Sequence, residues 1–254
     1  MAVVLEGGCQ VTTIREGEPK VEGLLRVWHQ VGRNVGAQAI SLRTLEFAQG
    51  LSKGIRNADC DEVLYVLEGC GTITIDGRAF KIEPETGIYI KPDEIFTIEN
   101  PNVEPLVLIS SRCPEPDRQS EMVDPMTTPA QQTAAPEIAP IVRLSDRKSL
   151  PTADRWYRVL VDEEVGSLQV TQFVGSIPPG RAPDHFHKYE EVLFILRGEG
   201  RMWAGETNTP IAAGSCVYLP QGQVHCVENT GDKELRLLGI FYPAGSPAAR
   251  YDAE

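Results

Sequence analysis

The chain has 254 residues, 41% of them hydrophobic, and a formal net charge of −12 at pH 7, which describes an acidic globular protein of one large or two ordinary domains. The acidic surplus argues against nucleic acid and anionic membrane surfaces as partners, because both would repel it. No run of about 18 apolar residues is present, so no membrane-spanning helix is predicted.

The six cysteines are scattered and include no Cys-x-x-Cys pair. In a chain of this size, that distribution is typical of buried, reduced thiols rather than of a disulfide framework. The first residues lack the basic start and the long apolar core of a signal peptide. We therefore expect a cytoplasmic protein.

Short strands dominate the first half of the chain. Runs rich in Val, Ile, Leu, Tyr and Phe are interrupted by glycines and by Asp76-Gly77, which is typical of an all-β barrel. Helical periodicity is scarce, and the one short helix considered covers residues 37–48. The predicted strands are residues 62–68, 72–75, 88–90 and 106–109.

Residues 113–140 interrupt this pattern of strands. They are rich in Pro, Gln, Thr and Ala and have no apolar period, above all over residues 126–136. Such a composition predicts an extended linker or a segment that crosses the surface. The predicted organisation is an N-terminal barrel at 1–115, a linker at 116–140 and a C-terminal barrel at 141–254.

The second half of the chain repeats the first at an offset of 129 positions, which indicates two copies of one fold. Strands are predicted there at residues 168–174, 191–196, 201–204, 216–219, 225–228 and 235–241. The pairs that keep the offset are Glu62 and Glu191, Gly69 and Gly198, Asn100 and Asn229, and Pro114 and Pro243.

Three of the four histidines lie in the second copy, between residues 180 and 229. In a strand, the side chains at i and i+2 point to the same face, so His185 and His187 project together. Glu191 keeps the same parity, and His225 can supply a third imidazole from another strand. Imidazoles combined with a carboxylate suit divalent iron, manganese, nickel, cobalt or zinc, usually with coordination positions left open.

The same stretch resembles the cupin superfamily. The first cupin motif, Gly, five residues, His-x-His, three or four residues, Glu, six residues, Gly, is matched from Gly180 to Gly198, with the opening spacer one residue short. The second motif, Gly, five residues, Pro-x-Gly, two residues, His, three residues, Asn, is matched without departure by Gly214, Pro220, Gly222, His225 and Asn229.

The resemblance implies an all-β bicupin with two tandem jelly-roll barrels, also called double-stranded β-helices. It implies one transition metal ion (Fe, Mn, Ni, Co, Cu or Zn) inside the C-terminal barrel, with the ligand set His185, His187, Glu191 and His225. It further implies the breadth of the metal cupins, which include dioxygenases, decarboxylases, isomerases and hydrolases.

The first copy lacks the histidines of the second. The offset places Arg56 and Ala58 where His185 and His187 stand, and counting from Pro92 places Thr97 at the third histidine position. Glu62 alone survives, and one carboxylate beside an arginine holds a transition metal poorly. We predict a metal-free N-terminal barrel in which Glu62 and Arg56 form an internal ion pair or lie on the surface.

The lining of the second barrel follows from strand parity. The faces that carry Glu191 and His225 also carry Leu193, Ile195, Gln223 and Val227, which predicts a mostly apolar pocket for a small organic molecule. Phe194 and Trp203 are expected to pack outside it. Two catalytic candidates stand beside the ligands: Arg181, which can pair with a substrate carboxylate, and Glu190, which can move a proton.

Three functions remain open at this point. The favoured hypothesis is a dioxygenase-type oxidoreductase acting on a small oxygenated substrate, because three imidazoles and a glutamate leave about two open positions on an octahedral ion. The second is a non-redox metal-dependent isomerase, decarboxylase or hydrolase of a sugar or keto acid. The third is a non-catalytic cupin that binds a small ligand.

The expected partner is a small-molecule substrate, without nucleic acid or membrane. Two fused barrels can pair with each other in a monomer, whereas exposed edge strands favour a homodimer. The sequence leaves the oligomeric state open.

Overall fold

The structure is a computed structural model that describes residues 2–116, 118–126 and 138–248. Short 3₁₀ helices lie at Glu6–Gly8, Arg33–Val35, Leu144–Asp146 and Glu163–Val165. The strands of the first half are β1 Val3–Val4, β2 Gln10–Thr13, β3 Lys20–Glu22, β4 Leu25–Val31, β5 Leu42–Phe47, β6 Gly50–Leu51, β7 Gly54–Arg56, β8 Asp61–Glu68, β9 Gly71–Ile75, β10 Arg78–Ile82, β11 Thr86–Ile90, β12 Ile95–Asn100, β13 Leu106–Cys113 and β14 Glu121–Val123. Those of the second half are β15 Ile141–Arg143, β16 Leu150–Thr152, β17 Arg155–Val161, β18 Thr171–Ile177, β19 Gly180–Arg181, β20 Glu190–Arg197, β21 Glu199–Ala204, β22 Thr207–Ala212, β23 Ser215–Leu219, β24 His225–Asn229 and β25 Leu235–Tyr242.

The all-β class and the two tandem barrels are confirmed. The first barrel combines a sheet of order β15-β11-β8-β13-β5-β4-β3 with a sheet of order β10-β9-β12-β7-β14, to which β6 is joined through β12. The second barrel combines a sheet of order β1-β2-β23-β20-β25-β18-β17-β16 with a sheet of order β19-β24-β21-β22. The strands that the sequence predicts all occur. The strands that it missed include the short edge strands and also the longer strands β4, β5, β12, β17 and β22.

The barrels exchange their first strands. β2, from the start of the chain, pairs with β23 of the second barrel, so that Val11 lies opposite Val217. β15, from the start of the second copy, pairs with β11 of the first barrel, so that Val142 lies opposite Gly87. A first barrel that ended at residue 115 would lack β14 and β15, and a second barrel that began at residue 141 would lack β1 and β2. The boundaries therefore stay a prediction about the sequence.

The central strands are apolar on both faces because each face meets a different core. In β8, Leu64 and Val66 point into the interior of the first barrel. Val63 and Tyr65 alternate with them and join a cluster that also contains Phe194 of the second barrel. Burial on both faces explains the near-continuous apolar runs of these strands, since neither face meets water. The cluster between the barrels joins the two copies into one packed unit.

Two expectations about the first half need comment. The short helix considered at 37–48 is wrong, because β5 occupies half of that segment, is buried along its whole length, and is preceded by non-helical residues. The linker prediction is only partly covered, since Asp117 and residues 127–137 lie outside the described residues. Within the described part, β14 pairs with β7 and so extends a sheet of the first barrel.

The six cysteines are free thiols, and five of them are buried. Among the described residues, no helix has the length and apolar character that a bilayer-spanning helix needs.

Candidate metal centre

Two imidazoles are brought together by a single backbone contact between distant segments. His185 and His225 face each other in an isolated antiparallel bridge. The N–H of His185 donates to the carbonyl of His225 at 3.1 Å, and the N–H of His225 donates to the carbonyl of His185 at 2.8 Å. The two ring centroids lie 4.5 Å apart as a result. The extended segment before β20 thus places His185 against the first residue of β24.

The third imidazole is held by aromatic stacking. The ring of His187 lies 4.9 Å from the ring of Tyr189, with 7° between the planes. Tyr189 stacks in turn on Phe241 of β25, at 4.6 Å. Since Phe241 is almost wholly buried, the orientation of His187 is fixed by the barrel core.

The three histidines form a compact donor set. Their ligand nitrogens all lie within 4.8 Å of one another. Nδ1 of His185 lies 3.1 Å from the carbonyl of Pro183, and Nδ1 of His225 lies 2.8 Å from the carbonyl of Gln223. A backbone carbonyl that accepts from Nδ1 fixes the tautomer and leaves Nε2 with its lone pair free for a metal ion.

Glu191 lies beside this set, next to His187. Its Oε2 lies 3.3 Å from Nε2 of His187, and its side chain is 6% exposed. The group of donors within 4.8 Å of one another consists of the three histidines and does not include Glu191. Burial raises the pKa of Glu191 to about 8. Burial, together with the neighbouring His185, lowers the pKa of His187 to about 4, so the contact between the two side chains is not an ion pair at neutral pH.

The chemistry of this donor set fits a divalent transition metal. Burial and His185 lower the pKa of His225 to about 3, so this imidazole is neutral at physiological pH, as a metal ligand must be. Nδ1 of His187 is buried and has no hydrogen-bond partner among the described residues. Neutral imidazoles and one carboxylate, buried at the base of a cavity, are the ligands that iron, manganese, cobalt and zinc take in proteins.

The cavity above the histidines measures about 720 Å³ including its mouth. Its wall is largely apolar and aromatic, as predicted, and a cation stands at the entrance, where Arg155 is 14% exposed and lies 3.5 Å from Asp154. The lining besides the four predicted ligands is Thr152, Arg155, Trp156, Tyr157, Phe173, Gly175, Ser176, Ile177, Ala182, Leu193, Val227, Leu237 and Pro247.

Two of the four predicted lining residues reach the cavity. Leu193 and Val227 line it, as strand parity predicts. Ile195 points inward but belongs to the packed interior below. The side-chain amide of Gln223 donates to the carbonyl of Val224, and Gln223 is not among the lining residues.

Neither of the two catalytic candidates lies in the cavity. The carboxylate of Glu190 accepts from the backbone N–H groups of Gln38 and Ala39, the latter at 2.7 Å, and from the hydroxyl of Tyr218 at 3.0 Å. It therefore faces the first barrel, because successive side chains of a strand point to opposite faces and Glu191 occupies the inner one. The structure gives Glu190 a place in the contact between the barrels.

Arg181 lies on the outer side of the second barrel. Its guanidinium stacks over Trp203 at 4.1 Å, its Nε donates to the sulfur of Cys226 at 3.2 Å, and its Nη2 donates to Asp184 at 3.1 Å. Cys226 and Trp203 face away from the histidines, as their sequence parity predicts. Phe194 also lies outside the cavity, because it belongs to the cluster between the barrels.

The first barrel has a different set of residues at the same place. In the second barrel, His225 pairs with Ala204. The counterpart of Ala204 in the first barrel is Ile75, and Ile75 pairs with Phe96. The third histidine position is thus filled by a fully buried phenylalanine. The expectation of Thr97 there is wrong, because it was counted from Pro92, whereas β11 and β12 both keep the offset of 129 and so place Phe96 opposite Ile75.

The segment that carries the other two positions is offset by 130 rather than 129 residues from its copy, because the pairing of Ile55 with Phe96 corresponds to the bridge between His185 and His225. Arg56 pairs with Ile95, so that Ile55 pairs with Phe96 and takes the place of His185. Ile55 belongs to the apolar interior. Asn57, two residues further on, donates from its side chain to Glu62. Ile55 and Asn57, rather than Arg56 and Ala58, are therefore the counterparts of the His-x-His pair.

The predicted pairing of Glu62 with Arg56 is wrong as well. Glu62 accepts from Arg43 at 2.6 Å, with the two side chains 1% and 6% exposed. Arg56 pairs instead with Glu121 of β14 at the surface. The interior ion pair that the sequence suggested does exist, but its cation comes from β5.

The entrance of the metal cavity was missed in the sequence. Arg155, Trp156 and Tyr157 come from the start of β17, a stretch that carries no motif and was not assigned to a strand. The available signal was a cationic residue followed by two aromatic residues. Such a triplet also fits an ordinary surface strand, so it does not by itself indicate a site.

The comparisons with known proteins agree with this architecture. Residues 173–241 match the model of the cupin domain, and residues 62–155 match that of the AraC-like ligand binding domain. Oxalate decarboxylase from Bacillus subtilis superimposes with a TM-score of 0.74 over 92% of this chain and 76% of that chain, at 15% identity. The chain has the two-domain fold of the cupin superfamily.

Protein Ylba from E. coli has the same fold: it superimposes with a TM-score of 0.73, covering 95% of this chain and 93% of that chain at 14% identity. The chain is 33% identical to auxin-binding protein 1 of Arabidopsis thaliana over 86 residues, which are 30% of this chain and 43% of the relative. It is 36% identical to an oxalate-binding protein of Thermotoga maritima over 69 residues, which are 26% of this chain and 56% of the relative. The chain thus spans about half the length of these curated relatives.

Proposed function

We propose that this cupin is a metal-dependent enzyme of the dioxygenase type that acts on a small oxygenated organic molecule. The observation that carries the proposal is the convergence of three imidazole donors within 4.8 Å at the base of a cavity large enough for a small substrate. His185, His187, Glu191 and His225 would hold one divalent transition metal ion. When bound, the ion supplies Lewis acidity or redox chemistry beside the substrate.

The protein itself supplies position and a dry environment. The carbonyls of Pro183 and Gln223 orient two of the imidazoles, and the stack on Tyr189 orients the third. The apolar wall formed by residues such as Leu193 and Val227 limits the access of water to the reacting atoms.

The cavity lining contains few groups that transfer protons, and this favours dioxygenase-type chemistry over isomerisation or hydrolysis. Apart from the predicted ligands, the titratable side chains in the described cavity lining are Arg155 and Tyr157. Neither residue type ordinarily exchanges protons near neutral pH. Reactions that depend on a positioned general acid or base would lack one here.

Decarboxylation of a small carboxylate is the second candidate, and one residue favours it. Arg155 places a guanidinium at the cavity, and guanidinium groups bind carboxylates through paired hydrogen bonds. Two of the similar proteins are named for oxalate, namely the oxalate-binding protein and oxalate decarboxylase. A carboxylate substrate is compatible with both candidate reactions.

The first experiment measures the metal content of the protein purified without added metal. About one iron, manganese, nickel, copper or cobalt per chain in the wild type, lost in His225→Ala, is the expected result. Cys226→Ala is the matched control, because this neighbour is equally buried but faces away from the histidines. Zinc alone would shift the proposal to non-redox chemistry, and no metal after reloading would overturn it in favour of ligand binding.

The second experiment separates the two reactions. The metal-loaded protein is supplied with enols, catechols, β-diketones, flavonols and small dicarboxylates, and oxygen uptake and CO₂ release are followed with and without air. Oxygen consumption that is lost in Arg155→Gln supports the first candidate acting on an anionic substrate. CO₂ release without net oxygen consumption would replace it with the second.

Three further proposals accompany the assignment. The barrel boundaries 1–115 and 141–254 are proposed as sequence units, a homodimer is proposed as the assembly, and the cytoplasm is proposed as the location. The free thiols support the last of these, since reducing compartments preserve them. Size measurement in solution tests the homodimer.

A further inference from the structure

The first barrel has its own recess, at a place where the sequence predicts no site. It measures about 450 Å³ including its mouth and is not connected with the histidine cluster. Its polar lining consists of Lys20, Glu22, His29, Arg43, Arg112, Gln119 and Ser120. Two arginines in the wall of a barrel interior are unusual, because buried guanidinium groups need partners.

Arg43 is buried in this wall and only partly satisfied. Its side chain is 6% exposed. Its Nη2 donates to Glu62 at 2.6 Å and to the hydroxyl of Ser110 at 2.8 Å. Its Nε has no hydrogen-bond partner among the residues that the structure describes. The guanidinium thus keeps donor capacity beyond its contacts in the protein.

Arg112 repeats the pattern from the neighbouring strand β13. Its side chain is 5% exposed, and its Nη2 donates to Glu115 at 3.1 Å. Its Nη1 reaches the carbonyl of Arg118 only at 3.5 Å, and its Nε is likewise without a partner in the described part of the chain. Two planar guanidinium groups with unused donors line one recess.

The carboxylates nearby are already engaged. Glu62 accepts from Arg43, Ser110 and Asn57, which occupies both of its oxygens. Glu115 pairs with Arg112 through Oε1, while its Oε2 is buried without a hydrogen-bond partner among the described residues. These two acidic groups therefore neutralise the arginines without using all of their donors.

Lys20 and His29 complete the polar lining of the recess. Lys20 is half exposed and pairs with Glu22 at 2.9 Å. Burial and then the charges of Arg43, Arg112 and Lys20 lower the pKa of His29 to about 4. The ring of His29 is therefore uncharged at neutral pH and shares the recess with both arginines.

We propose that the recess in the N-terminal barrel is a second ligand site, which binds a small organic carboxylate through Arg43 and Arg112. A carboxylate offers two acceptor oxygens in the planar arrangement that guanidinium groups match. The proposal is independent of the metal centre, since none of its residues belongs to the histidine cluster or its cavity.

His29 makes the proposal testable, because it is the one histidine of the chain outside the metal cluster. The full-length, zinc-loaded protein is labelled with ¹⁵N-histidine, and the His29 ring signal is identified by its loss in His29→Gln. Malonate is then added at neutral pH, with the uncharged malonamide as the matched probe. We expect malonate to shift the His29 signal and to saturate it with a Kd of about 1 mM or below.

Two variants locate the site. Arg112→Gln is expected to weaken malonate binding about tenfold, because a buried charge-assisted contact is lost. Lys20→Ala, at the exposed rim, is expected to weaken it about threefold. Lys148→Ala removes the same charge from an exposed position outside the recess and is expected to leave the affinity unchanged.

Several results would overturn the site. One is an equal shift with malonamide, and another is a shift that does not saturate by about 50 mM malonate. Equal weakening by Lys20→Ala and Lys148→Ala would show a general charge effect instead. That comparison also decides the matter if Arg112→Gln does not fold.

Discussion

Phe96 and His225 occupy the same ladder position in the two barrels. Each pairs with the corresponding residue of the neighbouring strand, Ile75 in the first barrel and Ala204 in the second. In the first barrel the phenylalanine ring fills this space by packing. In the second barrel the imidazole places a donor atom there. The two copies therefore keep one backbone but place an apolar side chain at this position in one barrel and a histidine of the cluster in the other.

This relationship predicts opposite outcomes for two matched substitutions. Phe96→Ala should destabilise the protein by about 3–5 kcal/mol, because it leaves a cavity in a fully buried position, and should leave the metal content unchanged. His225→Ala should remove the metal at a smaller loss of stability in the metal-free state. Urea unfolding of metal-stripped protein and elemental analysis measure both effects, and loss of metal in Phe96→Ala would contradict this relationship.

Adjacent glutamates of β20 are expected to differ in the same way. Glu190→Gln should cost about 1.5 kcal/mol of stability, because it weakens the hydrogen bonds that Gln38, Ala39 and Tyr218 donate to a charged acceptor. It should leave metal content and turnover intact. Glu191→Gln should lose the metal and all activity that depends on it. If Glu190→Gln lowered the turnover of stably folded enzyme, its assignment to the barrel contact would be wrong.

Metal binding should release a proton from Glu191. The pKa of this carboxyl is raised to about 8 by burial, so the metal-free protein carries the proton below that pH and must lose it to coordinate a cation. Affinity should therefore rise by about tenfold per pH unit towards pH 8 and then level off. Calorimetry in buffers of different ionisation enthalpy measures the proton, and the release per bound metal ion should fall towards zero as the pH rises above 8. A release that stays constant across pH 8 would contradict the prediction.

The exchanged strand β2 should stabilise the barrel that it joins. Val11 is 6% exposed and packs into the interior of the second barrel. Val4, in the preceding strand β1, is 65% exposed. Val11→Ala should lower the free energy of unfolding by about 2 kcal/mol, through lost burial and a small cavity. Val4→Ala should change it little. Hydrogen exchange at β23, the partner of β2, should accelerate only in the first variant.

The sequence was sufficient for the repeated β architecture and for the cluster of histidines. Both follow from local information: apolar runs bounded by glycines, an offset kept over the whole chain, and two spaced motifs. Parity alone also placed Leu193 and Val227 in the cavity and turned Cys226 away from it. Such predictions hold because alternation along a strand is a property of the backbone.

Tertiary structure decided everything that depends on register or on strands remote in the chain. The offset of 129 already places Phe96 at the third position, but only the strand pairing shows that Ile55 rather than Arg56 stands opposite it, and a slip by one residue turns a side chain to the other face. The partner of Glu62 proved to be Arg43, and the cation of the cavity proved to be Arg155. No local sequence pattern predicts the role of either residue.

Glu190 shows the same limit most clearly. Its neighbour Glu191 faces the imidazoles, while Glu190 is captured by backbone N–H groups of the other barrel, about 150 positions earlier in the chain. The amino-acid sequence by itself determined which side chains share a face of a strand. Only the packing of one barrel on the other decided what each face meets, because that depends on contacts between segments whose separation in sequence carries no signal.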